Sequence, residues 1–184
     1  MDNLQDLPHD LPVPIDDGAC NHLSGQFLPA IVLSSTQGRS VDLSAIPGQV
    51  VIYCYPMTGQ PGVPLPSGWD EIPGARGCTP QSCSFRDHHQ ELSQLKTQVF
   101  GLSTQSSEYQ KEAVERLHLP FELLSDQDLR VAKALKLPLF ETGGKQLIQR
   151  VTLVVRAGKI VQVFYPVFPP DRNAGDVLNW LKSH

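Results

Sequence analysis

Two cysteines, Cys78 and Cys83, stand in the segment Gly77-Cys78-Thr79-Pro80-Gln81-Ser82-Cys83-Ser84-Phe85-Arg86-Asp87 at the predicted start of a helix. The segment follows an apolar strand pattern, Val50-Val51-Ile52-Tyr53-Cys54-Tyr55, closed by Pro56. At a helix N-terminus the unpaired N–H groups and the positive end of the dipole favour thiolate over thiol. Thiolate is the form that attacks peroxides and disulfides. A second thiol close by suits a first one that is oxidised and then rescued. On a regular helix, five residues separate two Cα atoms by about 8–9 Å, whereas a disulfide needs about 4.4–6.8 Å. The two sulfurs can therefore bond only after the first helical turn unwinds.

Other readings of the same residues stand beside this one. Cys78 and Cys83 could be small buried residues on the inner side of a helix. Cys78, Cys83, His88 and His89 cluster in sequence, but i, i+5 and i+10 share no helix face, and no C-x-x-C pair accompanies them. A Cys–His pair of the protease kind meets poor geometry, because both histidines share the helix of Cys78. One histidine is expected on the surface and the other packed. Cys54 lies within the buried strand and reads as core, while Cys20 sits in an N-terminal arm where the sequence assigns it no role.

The elements that must hold these residues follow from patterning. The chain has 184 residues, 40% hydrophobic and 18% charged, enough for one domain with a full core. Its formal net charge of −4, without a Lys/Arg run, argues against nucleic acid as the main partner. The apolar runs are strand-sized, so no membrane span is expected. The N-terminus lacks the basic and apolar regions of a secretory signal, and four cysteines are too few for a disulfide scaffold. A cytoplasmic location is the expectation, with the thiols catalytic, metal-binding or buried.

Residues 1–26 carry no helix or strand period and are expected to form an arm lying on a domain spanning 27–184, or a partly disordered tail. Short strands are expected at Leu28–Leu33 and Val41–Leu43, and the unalternating Val50–Tyr55 run reads as a central strand covered on both faces. Residues 59–75 are dense in Pro and Gly, a long loop of the kind that is usually functional. A helix follows, with Thr79 as N-cap, Pro80 at the first helical position, and Phe85, His89, Leu92 and Leu95 on one face. Val99–Ser103 is a second buried strand, Ser107–Leu117 a helix, and Phe121–Leu124 an extended segment. Asp126 caps a helix over Leu129–Leu135. Arg150–Val155 and Ile160–Phe164 form a hairpin about Ala157-Gly158, and Gly175–Ser183 is the last helix. Strands alternating with helices define an α/β domain with a mixed sheet.

These residues resemble the active-site segment of the bacterioferritin comigratory protein, or Q-type, peroxiredoxins. The resemblance runs from about Leu28 to His184. It includes Tyr55-Pro56, the run Leu119-Pro120-Phe121-x-Leu123-Leu124-Ser125-Asp126, Arg150-Val151-Thr152, Gly158-Lys159-Ile160 and Val177-Leu178-Asn179-Trp180-Leu181. It implies a thioredoxin-like fold that reduces hydrogen peroxide and organic hydroperoxides without metal or bound cofactor. It implies further that Cys78 is the peroxidatic cysteine and that Cys83 resolves it in an intramolecular disulfide. Thioredoxin or a similar dithiol then reduces that disulfide, and Arg150 holds the peroxide and the thiolate. A guanidinium suits that role, being a permanent charge with a fork of donors. Intramolecular resolution is compatible with a monomer or weak homodimer.

The family pattern Pro-x-x-x-Thr-x-x-Cys is interrupted. Ala75 stands three residues before Cys78, and Pro56 stands 22 before it rather than seven, an insertion of fifteen (22 − 7). Thr58 folding back is the favoured source of the missing hydroxyl, with Thr79 or no hydroxyl as alternatives. A second register, Pro73-Gly74-Ala75-x-x-x-Thr79-Pro80-x-x-Cys83, resembles another peroxiredoxin branch and would make Cys83 peroxidatic, but its spacing is one residue off. Two further functions compete with the peroxidase. A general disulfide oxidoreductase typically carries C-x-x-C, which this chain lacks. A non-catalytic or redox-sensing binding protein would use the long loop as its surface.

Overall fold

The computed structural model describes residues 4–184, so the first three residues of the expected arm lie outside it. In chain order the strands are β1 Val32–Ser35, β2 Ser40–Asp42, β3 Gln49–Cys54, β4 Thr97–Ser103, β5 Glu122–Ser125, β6 Leu139–Thr142, β7 Lys145–Ile148, β8 Val151–Arg156 and β9 Lys159–Phe164. The helices are α1 Cys78–Asp87, α2 His89–Gln94, α3 Ser107–Leu117, α4 Arg130–Ala134 and α5 Asn173–Ser183. A seven-stranded mixed sheet runs in the order β2-β1-β5-β4-β3-β8-β9. β3 pairs parallel with β4 and antiparallel with β8, so it lies near the middle of the sheet.

The unalternating apolar run in β3 has a direct cause: both of its faces are covered. Val50, Ile52 and Cys54 enter one core with Leu23 and Leu28, Val131 and Ala132 of α4, and Leu135. Val51, Tyr53 and Tyr55 enter the other, with Phe85, Leu92, Ala113, Val177 and Leu178 from α1, α2, α3 and α5. Strand parity carries over to β8. Val151, Leu153 and Val155 face the first core and Val154 the second. Arg150 and Thr152 share the parity of Val154 and so lie on the face that α1 covers.

Residues 20–28 pack on the domain. Cys20 and Leu23 are buried in the first core, and Phe27 bridges to Lys159 at the start of β9. Gly25 N donates to Ile160 O, and Ile160 N donates to Gln26 O, both at 2.8 Å. Most other boundaries agree with the sequence reading to within a few residues, and α3 coincides with it. Asp126 caps α4 through both carboxylate oxygens, to Val131 N at 3.0 Å and Ala132 N at 2.8 Å.

Three features differ from expectation. The helix after the loop begins at Cys78 with Gly77 as its N-cap, which places Thr79 and Pro80 inside the first turn. Pro80 is tolerated there because an N–H at that position would have no intrahelical acceptor. The helix also breaks at His88, so Phe85 belongs to α1, while His89 and Leu92 belong to α2 and Leu95 caps it. Finally, β6 and β7 form a separate hairpin across Gly143-Gly144, both with positive φ. Its Phe140 and Leu147 pack with Trp69, Leu65, Ile72 and Ala75, which gives the Pro/Gly-rich segment a small core of its own.

Candidate active site

Cys78 sits at the first position of α1 and is 4% exposed. Gly77 sets where that helix can begin. Its φ is +110°, and a Cβ there would stand 2.2 Å from Pro170 Cγ. Gly77→Ala combines backbone strain with this overlap and is expected to destabilise the fold by about 2–4 kcal/mol. Urea unfolding of the full chain checks this; an unchanged midpoint would contradict the close approach. On the inner face of α1, Tyr53 stacks on Phe85 with centroids 4.6 Å apart, and its hydroxyl hydrogen-bonds Ser82 Oγ at 3.1 Å. This aromatic packing fixes the rotation of α1 on the sheet and thereby the direction of Cys78.

Arg150, one residue before β8, extends its guanidinium under the start of α1. It is 3% exposed. Its Nη2 donates to Ala75 O at 3.1 Å, Arg76 O at 3.3 Å and Cys78 Sγ at 3.3 Å. Its Nη1 donates to Gln81 Oε1. Among the described residues no carboxylate pairs with this buried charge, and its Nε has no hydrogen-bond partner. A buried cation without a counter-ion is costly. Cys78 is the group in contact with the fork that can take up a negative charge.

Gln81 and Asn173 were missed by the sequence reading. Gln81 is fully buried one turn beyond Cys78, and its Nε2 donates to Asn173 Oδ1 at 2.9 Å. Thr152 Oγ1 donates to the same oxygen at 2.7 Å. Gln81 falls on the inner face with Cys78, Ser82 and Phe85, a spacing that was legible. Asn173 was not, because it reaches the site from the far end of the chain.

The Pro/Gly-rich segment between β3 and α1 is tied at both ends. Where it leaves β3, Thr58 N and Oγ1 both donate to Gln105 Oε1, at 2.7 and 3.1 Å, and Gln105 Nε2 donates back to Thr58 O at 3.1 Å. The Thr58 hydroxyl proton is thus directed at Gln105. Arg116 Nη2 donates to Gly59 O at 3.0 Å. At the other end, Ala75 offers its carbonyl to Arg150 and, at 3.8 Å, to the Cys78 thiol. What Ala75 contributes is a backbone acceptor, not a hydroxyl.

Cys83 is half-buried on the same helix, and all four cysteines are free thiols. Burial pushes its pKa up, with Arg86 opposing that effect and Asp87 reinforcing it. Burial pushes Cys20 up to about 12 and Cys54 higher still, the behaviour of inert core thiols. His88 Nδ1 pairs with Ser84 O at 2.9 Å, and His89 packs on the Phe121 ring at 5.9 Å. Among the described residues no cluster of three or more His, Cys, Asp or Glu could hold a metal, and no helix is long and apolar enough to cross a membrane.

A mixed sheet flanked by helices, with a buried cysteine at a helix start under an arginine fork, defines a thiol-dependent oxidoreductase of the thioredoxin-like class. The Redoxin family profile matches residues 23–178. Peroxiredoxin Q from the chloroplast of Sedum lineare is 35% identical over 163 residues, covering 86% of this chain and 77% of that protein. Peroxiredoxin Bcp of Escherichia coli is 32% identical over 171 residues, covering 88% and 96%. The crystal structure of peroxidoxin BcpB from Mycobacterium tuberculosis superposes with a TM-score of 0.70 at 26% identity, covering 87% of this chain and 96% of that one. The chain belongs to the Redoxin family, in its peroxiredoxin Q/Bcp branch, and is a thiol-dependent peroxidase.

Proposed function

We propose that Cys78 is the peroxidatic cysteine and Cys83 the resolving cysteine of an intramolecular two-cysteine cycle. The observation that carries this is the hydrogen bond from Arg150 Nη2 to Cys78 Sγ in a buried site. The Cys78 thiolate attacks the terminal oxygen of a hydroperoxide. The O–O bond breaks, an alcohol or water leaves with a proton, and Cys78 becomes a sulfenic acid. Arg150 holds the anion at the start of this step and charge on the departing oxygen at its end. Nε, buried without a hydrogen-bond partner, is a donor of the fork available to the peroxide.

Cys83 then attacks the sulfenic sulfur, a disulfide forms and water is lost. Both residues lie on one unbroken helix, so α1 must unwind between them first. A dithiol of the thioredoxin kind reduces the disulfide and closes the cycle; the likeness to peroxiredoxin Q and Bcp supports that assignment. Hydrogen peroxide and organic hydroperoxides are the substrates. The Gln105–Thr58 clamp, and the placement of the Ala75 carbonyl on Arg150, favour a site in which the arginine supplies the donors and no threonine hydroxyl is needed.

Mass spectrometry of the Cys78–Cys83 peptide, quenched after one equivalent of peroxide, tests the assignment. A transient oxidation at Cys78 followed by a Cys78–Cys83 disulfide is expected; first oxidation at Cys83 would overturn it. The pH dependence adds a sign. Burial raises the pKa of Cys83 in the folded chain, which keeps it a thiol, and attack needs its thiolate, so disulfide formation should accelerate from about pH 6 to about pH 9. A rate that falls over that range in stopped-flow traces would exclude Cys83 as the attacking thiol.

A further inference from the structure

Asn173, the first residue of α5, is buried, and two donors converge on its side-chain oxygen: Gln81 Nε2 at 2.9 Å and Thr152 Oγ1 at 2.7 Å. An amide oxygen has two acceptor positions, and both are filled. This convergence sets the sense of every bond up to the sulfur. With its NH2 group held by Asn173, Gln81 must turn its oxygen to Arg150, which has donors and no acceptor. The reversed amide would set an NH2 against the guanidinium and an oxygen against an oxygen. The chain of donors therefore runs Thr152 to Asn173, Gln81 to Asn173, Arg150 to Gln81 and Arg150 to Cys78.

Gln81 also lies between Cys78 and Cys83 on α1, so the unwinding that joins the thiols must lift it off both Arg150 and Asn173. The turn before α5, Pro170–Arg172, presses Pro170 against Gly77 at the other end of the same helical turn. One junction thus grips the first turn of α1 at two points, Pro170 on Gly77 and Asn173 on Gln81.

We propose that Asn173, backed by Thr152, is a positioning residue that latches the folded first turn of α1 and controls the fate of oxidised Cys78. This rests on Cys78 and Cys83 having the roles given above. While the latch holds, Gln81 keeps Arg150 on the sulfur and peroxide attack is fast. The sulfenic acid then has two exits. If the turn opens, Cys83 displaces water and a disulfide forms. If it stays closed, a second hydroperoxide oxidises the sulfenic acid to sulfinic acid and is itself reduced to an alcohol or water. A strong latch lengthens the closed period and favours sulfinic acid at high peroxide; a weak one favours the disulfide.

The test compares the full-length parent chain with Asn173→Ala, Thr152→Val and Thr152→Ser. Stopped-flow oxidation by hydrogen peroxide separates the first step from disulfide formation, and mass spectrometry gives the disulfide-to-sulfinic ratio over a range of peroxide. The loss of buried hydrogen bonds, two in Asn173→Ala and one in Thr152→Val, is expected to slow the first step and speed disulfide formation, each by about three- to tenfold. The sulfinic share should fall in Asn173→Ala and Thr152→Val, and Thr152→Ser should return it towards the parent value. Thr152→Val is nearly isosteric and answers the question even where Asn173→Ala folds poorly. Opposite movement of the two steps supports the latch. Both steps slowing together, or neither changing by more than about twofold, overturns it, since that is what plain destabilisation or no coupling would give. Failure of a Cys83→Ser chain to accumulate Cys78 sulfenic acid would instead overturn the underlying assignment of the cysteines.

Discussion

Cys78→Ser is expected to abolish peroxide consumption, while Cys83→Ser retains one stoichiometric turnover and loses cycling with a dithiol reductant. The two results differ because the cysteines differ in their neighbours, not in their number. Cys78 Sγ receives an N–H from Arg150 at 3.3 Å and sits at the start of α1, where N–H groups have no intrahelical acceptor. A serine hydroxyl there remains protonated and is a poor nucleophile towards an O–O bond. Cys83 is held among Arg86, Asp87 and Arg116, with its pKa raised mainly by burial, and in the proposed cycle its attack is needed only after α1 opens. Peroxide-consumption assays and thiol titration check both variants. Full activity in Cys78→Ser, with loss of the first turnover in Cys83→Ser, would restore the alternative register in which Cys83 attacks the peroxide.

Arg150→Met is expected to lower the second-order rate constant for peroxide by about 10²–10³-fold, the effect of removing a preorganised charge stabiliser. The methionine approximates the stem of the arginine and removes its donors. The substitution also takes away a buried cation held by neutral dipoles, so it need not destabilise the fold, and the thermal midpoint separates the two effects. Arg150→Lys keeps the charge but cannot reach Gln81, Ala75, Arg76 and Cys78 together, and should recover only part of the rate. Stopped-flow oxidation over a series of peroxide concentrations gives the constants. A Met variant within about threefold of the parent chain would remove Arg150 from the reaction.

Much of this site was legible in local pattern. The unalternating β3, the cysteine pair after a glycine and the position of α3 each follow from spacing over a few residues. The resemblance added Arg150, and strand parity agrees by placing it with Thr152 on the face that α1 covers. The β6–β7 hairpin escaped notice because its strands are short, with Glu141, Thr142, Lys145 and Gln146 gathered next to the turn. Its Gly143-Gly144 turn was the available signal. The start of α1 was misread because Thr79-Pro80 imitates a cap followed by a first helical residue, whereas the close approach of Pro170 makes Gly77 the cap.

Thr58 shows where sequence reasoning ends. A threonine near the end of the central strand was a reasonable source for the missing hydroxyl, and the fold hydrogen-bonds that hydroxyl to Gln105, 47 residues away. Asn173 shows the same from the other side. Nothing near position 173 signals a link to Cys78, yet it holds Gln81 from across 92 residues. The sequence alone determined the class of chemistry, because thiol reactivity and helix starts depend on residues a few positions apart. Only the tertiary structure decided which partners orient the guanidinium, where the inserted segment is anchored and which residues grip the first turn of α1. Hydrogen bonds act over about 3 Å, and only the folded chain brings residues so distant in sequence within that range.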